Sequence, residues 1–185
     1  DFNLYKKHLI RIGVNLDYLK VIPKEVTATG FAMTDRDNNQ VWGFYSGAMK
    51  EAKNLSLKPI LKPDDLVLIT PNDPVAMAKY VDECAAVPCR FLFDPAFQIP
   101  RIALSKLKKG VMKATILIGT DYEISLLRQR LKLTKSQILK SGVILVTTYG
   151  AKGSMIEKGF EAIKVPSAKP LINCDPTGAG DAYRS

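Results

Sequence analysis

Histidine is almost absent from this chain, which has one, His8, among its 185 residues. A single histidine within an amphipathic helical pattern argues against a Ser-His-Asp triad and against histidine-rich metal sites. We therefore expect His8 to be a surface or interface residue. Cysteine is also scarce: Cys84, Cys89 and Cys174 form an odd set without metal-like spacing. This usage predicts reduced thiols in a cytoplasmic protein.

Long apolar runs and targeting segments are missing as well. No stretch approaches the roughly 20 apolar residues of a membrane-spanning helix, and none resembles a signal peptide. The formal net charge of +9 raises the question of a nucleic-acid partner. The lysines are spread along the chain, however, and no basic run is interleaved with aromatic residues. We expect neither a membrane nor a nucleic-acid partner, and a mildly basic surface also suits an enzyme with phosphate ligands.

Two widespread nucleotide-binding motifs are absent too. The GxxxxGK[ST] loop of P-loop kinases does not occur in the sequence, which excludes that class of kinase. A Rossmann dehydrogenase requires GxGxxG after its first strand, whereas the string GAGD of this chain lies near the C-terminus.

Short apolar runs alternate with helical patterns along most of the chain. An amphipathic helix is predicted over 2–12. The predicted strands are Leu66–Thr70, Arg90–Phe93, Thr115–Ile118 and Gly142–Thr147, and further helices are predicted over 73–86 and 121–131. Short all-apolar strands separated by helices are typical of a mainly parallel sheet covered on both faces. The sequence therefore predicts a three-layer α/β/α fold in one domain.

A β-hairpin at about 27–47 lies outside this alternation. Two strand-like segments, 27–34 and 41–46, are separated by residues 35–40, which have turn chemistry throughout. Each strand presents an apolar face: Phe31 with Met33 on the first, and Trp42 with Phe44 on the second. Such faces need a cover, which is the substrate, a partner subunit or the sheet itself.

The string from Asp175 to Asp181, DPTGAGD, is the most informative motif. Three small residues lead directly into a carboxylate, with Ala182 and Tyr183 behind it. Such a turn exposes backbone N–H groups at the start of a helix, where they and the helix dipole bind an anion, most naturally phosphate. Asp181 beside that anion is unfavourable unless it handles a proton or a metal. The alternative is a glycine-rich turn capped by an aspartate.

At these residues the sequence resembles a known family. The string DPTGAGDAYRS resembles the C-terminal signature of the ribokinase/PfkB carbohydrate-kinase family, which includes ribokinase, fructokinase and nucleoside kinases. Further matches occur in family order: the "DF..Y...L...GV" segment at Asp1–Val14, the substrate lid at Thr27–Ala48, Thr120–Glu123 where the family carries Asn-x-x-Glu, and "VTLGxxG" at Val146–Gly153. Threonine at position 120 departs from the family's asparagine.

The resemblance implies a ribokinase-like fold with a β-hairpin lid, and an ATP-dependent phosphotransferase that uses Mg²⁺. The γ-phosphate would pass to a hydroxyl of a sugar or nucleoside, and the lid string resembles nucleoside-kinase-like members more than ribokinase. A non-catalytic nucleotide- or sugar-binding relative of the same fold is the alternative. A homodimer through the lid is a further expectation.

The resemblance also implies roles for individual residues. Asp181 would be the catalytic base, and the N–H groups of Gly178, Ala179 and Gly180 would stabilise charge on the transferring phosphoryl group. Further implied roles are nucleotide binding by Thr147, Gly150 and Gly153, Mg²⁺ binding through water by Glu123, a monovalent-cation (K⁺) loop at Asp175 and Thr177, and a substrate lid with Phe31, Trp42 and Phe44.

The ends of the chain differ from the family pattern. The sequence begins after the position of the family's N-terminal Gly-Gly sugar-binding motif. It ends at Ser185, inside the helix that the signature opens. We therefore expect residues 1–185 to be a single-domain central fragment of a longer ribokinase-like protein.

Overall fold

The computed structural model describes residues 2–36, 40–169 and 177–185. Six strands form the main sheet in the order β3-β4-β5-β6-β7-β8. They are β3 (Leu66–Ile69), β4 (Arg90–Phe93), β5 (Ile116–Thr120), β6 (Ile144–Thr148), β7 (Ser154–Lys158) and β8 (Glu161–Val165). Neighbouring strands from β3 to β6 are parallel, whereas β7 and β8 pair antiparallel. The prediction of a mainly parallel sheet is confirmed.

The described helices are α1 (Phe2–Arg11), α2 (Pro74–Ala86), α3 (Leu104–Lys113), α4 (Asp121–Leu131), α5 (Lys135–Leu139) and α6 (Ala179–Arg184). Local sequence signals determine where several of these helices begin. Asp73 caps α2, since its Oδ1 accepts from the N–H groups of Val75 and Ala76 at 3.0 and 2.9 Å, and Pro74 occupies the first helical position.

The main core lies between the sheet and helices α2 to α5. Inward side chains of the strands, among them Phe91, Phe93, Leu117 and Leu145, pack with buried helix residues such as Val81. Consecutive parallel strands joined by right-handed crossovers bring their helices to one face, which explains this arrangement. The opposite face has a smaller buried cluster, consisting of Leu92, Ile118 and Val146.

The predicted hairpin is confirmed. Strands β1 (Thr29–Thr34) and β2 (Gln40–Tyr45) pair antiparallel as a separate two-stranded sheet. Part of the predicted turn, Asp37–Asn39, lies outside the described residues, as does Cys174. Within the described part of the chain, no helix has the length and apolar character needed to cross a membrane.

Three features were not predicted from the sequence: α3, α5 and the antiparallel pair β7–β8. The β7–β8 pair follows Gly153, where the sequence prediction stopped assigning elements. Gly159 and Phe160 separate its two strands, and Gly159 has φ +59°. A glycine between two alternating segments is a hairpin signal, so the pair was readable from the sequence.

Candidate active site

The candidate site lies at the carboxyl edge of the parallel strands, where open α/β sheets bind their ligands. Asp94 directly follows β4, Thr120 ends β5 and Thr148 ends β6. Helix α6 is attached at the same edge, although it is close to the C-terminus of the chain. Arg184 pairs with Asp94, and the hydroxyl groups of Tyr183 and Ser154 lie 2.6 Å apart.

Asp181 reaches this edge through Arg184. The Nη2 group of Arg184 donates to Oδ1 of Asp181, and Nη1 donates to Oδ2 of Asp94. The Asp181 side chain is 77% exposed, whereas the side chains of Arg184 and Asp94 are 14% and 4% exposed. The carboxylate predicted to act as a base is therefore accessible to a ligand and linked to the buried edge of the sheet.

Asp94 is a strongly perturbed carboxyl group. Burial raises its pKa to about 6, and the negative charge of Glu123 acts in the same direction, while Arg184 opposes both. Because the pKa is above that of an ordinary aspartate, Asp94 is ionised and paired with Arg184 above about pH 6. It becomes neutral as the pH falls through that value.

The Gly178 turn has the geometry that the motif predicted. Gly178 is the N-cap of α6 with φ +86°, a left-handed conformation that favours glycine. A Cβ atom added at Gly178 or Gly180 would meet nothing within 4 Å, so the space beside the turn is open. The first amide groups of a helix have no intrahelical acceptor. The turn is therefore open on this side, and phosphate binding by Gly178, Ala179 and Gly180 stays a prediction.

Asp175, one of the two residues implied in a monovalent-cation loop, lies outside the described residues. Thr177 is described and exposed. Its assignment to a cation loop therefore stays a prediction.

Thr120 and Glu123 form a capping box at the start of α4. Oγ1 of Thr120 accepts from the N–H group of Glu123 at 3.2 Å. In return, Oε2 of Glu123 accepts from the N–H and hydroxyl groups of Thr120, at 2.7 and 3.0 Å. The pattern Thr-x-x-Glu is a known helix-start signal. This capping box was not predicted from the sequence.

The donor set fits a hydrated divalent cation. Both bonds that Glu123 makes in the capping box use Oε2, so Oε1 remains for an outer ligand. Within residues 2–36, 40–169 and 177–185, no group of three or more histidine, cysteine or carboxylate side chains has the arrangement of a metal site. Mg²⁺ usually keeps several waters and binds through one or two carboxylates plus substrate phosphates, and its binding by Glu123 stays a prediction.

The predicted nucleotide segment forms the turn between β6 and β7. Thr147 is buried, whereas Gly150 is exposed with φ +57°. Gly153 has φ +89°, and a Cβ there would lie 2.1 Å from the carbonyl oxygen of Val165. The close approach of the chain after β8 thus requires glycine at position 153, independently of any ligand. Gly150 lies in open space, where a ligand has access.

The lid residues are divided between two faces. Trp42 is opposite Ala32 and Phe44 is opposite Gly30, whereas Phe31 is opposite Gly43. Since side chains alternate along a strand, Trp42 and Phe44 share one face and Phe31 lies on the other.

The Trp42–Phe44 face is turned toward the candidate site. The ring centroids of Phe44 and Phe97 are 5.9 Å apart, and Phe97 belongs to the turn that follows Asp94. The structure therefore brings Trp42 and Phe44 toward the carboxyl edge and places Phe31 on the opposite face of the lid. Phe97 was not singled out from the sequence, and no local pattern marks it.

The base of the lid is tightly closed. The N–H group of Ala48 donates to the carbonyl oxygen of Val26 at 2.9 Å, which joins the two ends of the lid segment. Gly47 has φ +47°, and a Cβ at this position would lie 2.2 Å from the same oxygen. The 3₁₀ helix Gly47–Asn54 is then bound to α2, because the Tyr80 hydroxyl donates to the carbonyl oxygen of Ala52 at 2.6 Å.

Arg184 and Asp94 are the main omissions of the sequence-based site. Asp94 directly follows the predicted strand Arg90–Phe93, but its pairing was not predicted, and Arg184 received no role. The two residues are 90 positions apart in sequence. The sequence signal that could have indicated this pair was a carboxylate directly after an apolar strand, together with an arginine one helical turn after Asp181.

An open, mainly parallel α/β sheet, a β-hairpin and a glycine turn leading into an exposed aspartate are the features expected of a ribokinase-like fold. The sequence profile of the pfkB family carbohydrate kinases matches residues 1–185. The chain belongs to this family.

Individual relatives are nucleoside kinases by name. The chain is 30% identical over 183 residues to a nucleoside kinase of Methanothermobacter thermautotrophicus, covering 98% of this chain and 59% of that protein. The nucleoside kinase of Burkholderia thailandensis in complex with inosine superimposes with a TM-score of 0.93 at 27% identity, over 100% of this chain and 60% of that one. Its complex described as ADP-inosine gives a TM-score of 0.91, again at 27% identity, over 100% of this chain and 57% of that one. The chain thus spans about three fifths of the length of these relatives.

Proposed function

We propose that the full-length protein is an ATP-dependent kinase that transfers the γ-phosphate to a primary hydroxyl of a nucleoside or small sugar, with nucleosides preferred. The observation that carries this proposal is the position of Asp181. It is exposed, directly follows the open Gly178 turn and is linked to the carboxyl edge of the sheet. The nucleoside kinases among the relatives, with their inosine and ADP-inosine complexes, support the choice of acceptor.

In the proposed mechanism, Asp181 accepts the proton of the acceptor hydroxyl as the oxygen of that hydroxyl attacks the γ-phosphorus. The bond between the γ-phosphorus and the β,γ-bridging oxygen breaks, and ADP leaves. The N–H groups of Gly178, Ala179 and Gly180 stabilise the negative charge on the transferring group. Phosphoryl transfer depends mainly on positioning and charge stabilisation, which this arrangement supplies.

The remaining residues bind and position the substrates. Thr147, Gly150 and Gly153 line the nucleotide, while Trp42 and Phe44 cover the acceptor. Mg²⁺, held through water by Glu123, neutralises charge on the phosphates when bound. The proposal also includes a K⁺ ion bound by the loop that contains Asp175 and Thr177.

Turnover of ATP by the full-length protein, measured against a panel of acceptors, tests the proposal. We expect nucleosides to give a kcat/KM at least about tenfold above free pentoses and hexoses, because a base adds stacking energy of ~1–3 kcal/mol. Turnover of hexose phosphates alone, without nucleosides or free sugars, would contradict the proposed acceptor class. ATP binding without turnover on any acceptor would support the non-catalytic alternative.

Thr120→Asn tests the proposed metal role of Glu123. Asparagine is an equally good N-cap, and its amide supplies a donor in addition to an acceptor. We expect the Mg²⁺ concentration for half-maximal activity to fall about two- to fivefold, with little change in acceptor KM. The measurement is a magnesium titration of turnover.

Thr134→Asn is the matched control, because Thr134 makes the same capping box with Gln137 at the start of α5. If Thr120→Asn left the magnesium titration unchanged, Thr120 would not be part of the proposed metal site.

Gly47→Ala tests the coupling between lid and site. The added Cβ would lie 2.2 Å from the Val26 oxygen, at a positive φ, so the base of the lid must shift. A misplacement near 1 Å can cost up to about 100-fold in rate, and we expect the acceptor KM to rise about tenfold. Gly43→Ala is the control, since it lies in the same lid with nothing within 4 Å of an added Cβ. Equal acceptor KM values for the two variants would contradict a lid role.

A second copy of the chain is the proposed cover for the outer face of the lid. Phe31 and Met33 on this face are 68% and 72% exposed, and contiguous apolar surface of this kind marks an interaction site. We expect Met33→Lys to convert a dimer to a monomer in analytical ultracentrifugation, because a lysine is costly to bury. A wild-type protein that is monomeric at micromolar concentration would contradict the proposed dimer.

A further inference from the structure

Two side-chain links join helix α6 to the carboxyl edge of the sheet. One link joins the hydroxyl of Tyr183 to that of Ser154, whose side chain is buried in β7. The other joins Arg184 to Asp94. These polar contacts can be removed individually.

Arg184 contacts two carboxylates at once. One arm of its guanidinium group donates to Oδ2 of Asp94 and the other donates to Oδ1 of Asp181. A guanidinium group is planar and rigid, so two groups bound to it keep a fixed relative orientation. The exposed fraction decreases from 77% at Asp181 through 14% at Arg184 to 4% at Asp94. The contacts thus run from an accessible carboxylate to a buried one.

Asp94 is itself firmly held. Its Oδ1 accepts from the N–H group of Ala96 at 3.1 Å, and its own N–H group donates to the carbonyl oxygen of Ile69 at 2.9 Å. These bonds fix Asp94 at the end of β4, next to the main core. An exposed aspartate at the start of a helix would otherwise sample several rotamers, and fixing one rotamer has an entropic cost. Because the Asp94–Arg184 pair forms when the protein folds, this entropic cost is not added during the reaction.

We propose that Arg184, anchored by Asp94, is a positioning residue that orients the Asp181 carboxylate for proton transfer. This inference rests on the proposed kinase function. Because Arg184 binds Oδ1 of Asp181, Oδ2 remains for the acceptor hydroxyl, and a base must lie within hydrogen-bond reach of the proton that it accepts. The charge of Asp94 balances the guanidinium, so the base is oriented without a net positive charge added beside it.

The test compares kcat, KM and melting temperature for variants of the full-length protein. The variants are Arg184→Met, Arg184→Lys, Asp94→Asn, the double variant Asp94→Asn/Arg184→Met, and Tyr183→Phe as a control. Tyr183→Phe removes the other link of α6 without touching Asp181. Wild-type turnover and its loss in Asp181→Asn are measured first, so that failure of the proposed kinase function is recognised separately.

We expect Arg184→Met and Asp94→Asn to lower kcat about 10- to 100-fold while the KM for ATP changes less than about threefold, since a misoriented base affects the chemical step. The double variant should be no slower than the slower single variant, because both substitutions break one link. Arg184→Lys should recover part of the activity, and Tyr183→Phe should lose less than about threefold.

The melting temperature distinguishes positioning from a merely structural role. Asp94→Asn keeps the size of the side chain but can accept from only one of the two donors that Asp94 binds, the Ala96 N–H group and Arg184. Its melting temperature is therefore compared with that of Tyr183→Phe, and an equal decrease in both variants, with kcat lowered in Asp94→Asn alone, indicates positioning. If Arg184→Met does not fold, Asp94→Asn and the double variant decide the question, since neither leaves an unpaired buried carboxylate.

Three results would overturn the inference. The first is a wild-type kcat in Asp94→Asn. The second is an effect of Arg184→Met confined to the KM for ATP, which would make Arg184 a phosphate ligand. The third is an equal loss in Tyr183→Phe, which would assign the effect to the attachment of the helix.

Discussion

Replacing Asp181 by asparagine is expected to lower kcat by about 10²–10⁴-fold, the usual cost of losing a general base. Asparagine keeps the size of the side chain and a hydrogen-bonding oxygen toward Arg184, but it cannot accept the proton of the acceptor hydroxyl. Because the Asp181 side chain is 77% exposed, its substitution should not disturb the core. The defect should therefore be confined to turnover.

Nucleotide affinity should survive this substitution. The proposed phosphate contacts come from backbone N–H groups of the Gly178 turn, which Asp181→Asn leaves in place. ATP is expected to bind as tightly as in the wild type or slightly more tightly, because a negative charge beside the phosphates is removed. Isothermal titration with ATP, together with steady-state turnover, separates these two effects.

Asp64→Asn is the control for Asp181→Asn, as it makes the same change at an exposed position ahead of β3, at the opposite edge of the sheet. It should keep wild-type turnover. An Asp181→Asn protein within a few-fold of wild-type kcat would rule out the proposed mechanism and leave the motif as an anion-binding turn with another use.

Replacing Gly178 by valine should abolish both nucleotide binding and turnover. Gly178 has φ +86°, which a β-branched residue adopts only with strain. The new side chain would also occupy the open space through which the phosphate approaches. We expect ATP affinity and kcat/KM to fall together by at least about 100-fold, in contrast to the turnover defect of Asp181→Asn.

The chain provides a closely matched control for this variant. Gly142 has φ +88° and nothing within 4 Å of an added Cβ, as Gly178 does, but it precedes β6 at the other edge of the sheet. Gly142→Val introduces the same backbone strain away from the site. If both variants lost ATP binding to the same extent, general destabilisation would be the cause, and the proposed phosphate binding would lose its support.

The two valine variants should be compared by thermal melting as well. A left-handed conformation costs a non-glycine residue roughly 1–2 kcal/mol, so similar decreases in melting temperature are expected. Binding, by contrast, should fail in Gly178→Val alone.

Elements defined by local signals were predictable from the sequence. The strand Arg90–Phe93 and the helix Asp121–Leu131 have the predicted bounds. Apolar runs, caps and turn residues act over a few positions, so their signals can be read without knowledge of the rest of the chain. The hairpin lid and the Gly178 turn were predictable from the sequence for the same reason.

Elements with weak local signals were missed. Helix α3 carries Gly110 in its interior, which argues against a helix on propensity alone. Here glycine is needed because an added Cβ would lie 2.6 Å from the ring of Phe93. Close packing against the sheet therefore explains why this segment is helical despite its glycine. That packing cannot be read from the sequence of the segment itself.

The sequence by itself determined the family, the mainly parallel sheet and the chemistry available at the Gly178–Asp181 turn, because each depends on residues adjacent in the chain. Only the tertiary structure decided which distant residues act together. It paired Arg184 with Asp94 across 90 positions, separated Phe31 from Trp42 and Phe44 by strand register, and set Phe44 against Phe97. These contacts depend on how strands and helices pack once loops are closed, and nothing local to either partner specifies the other.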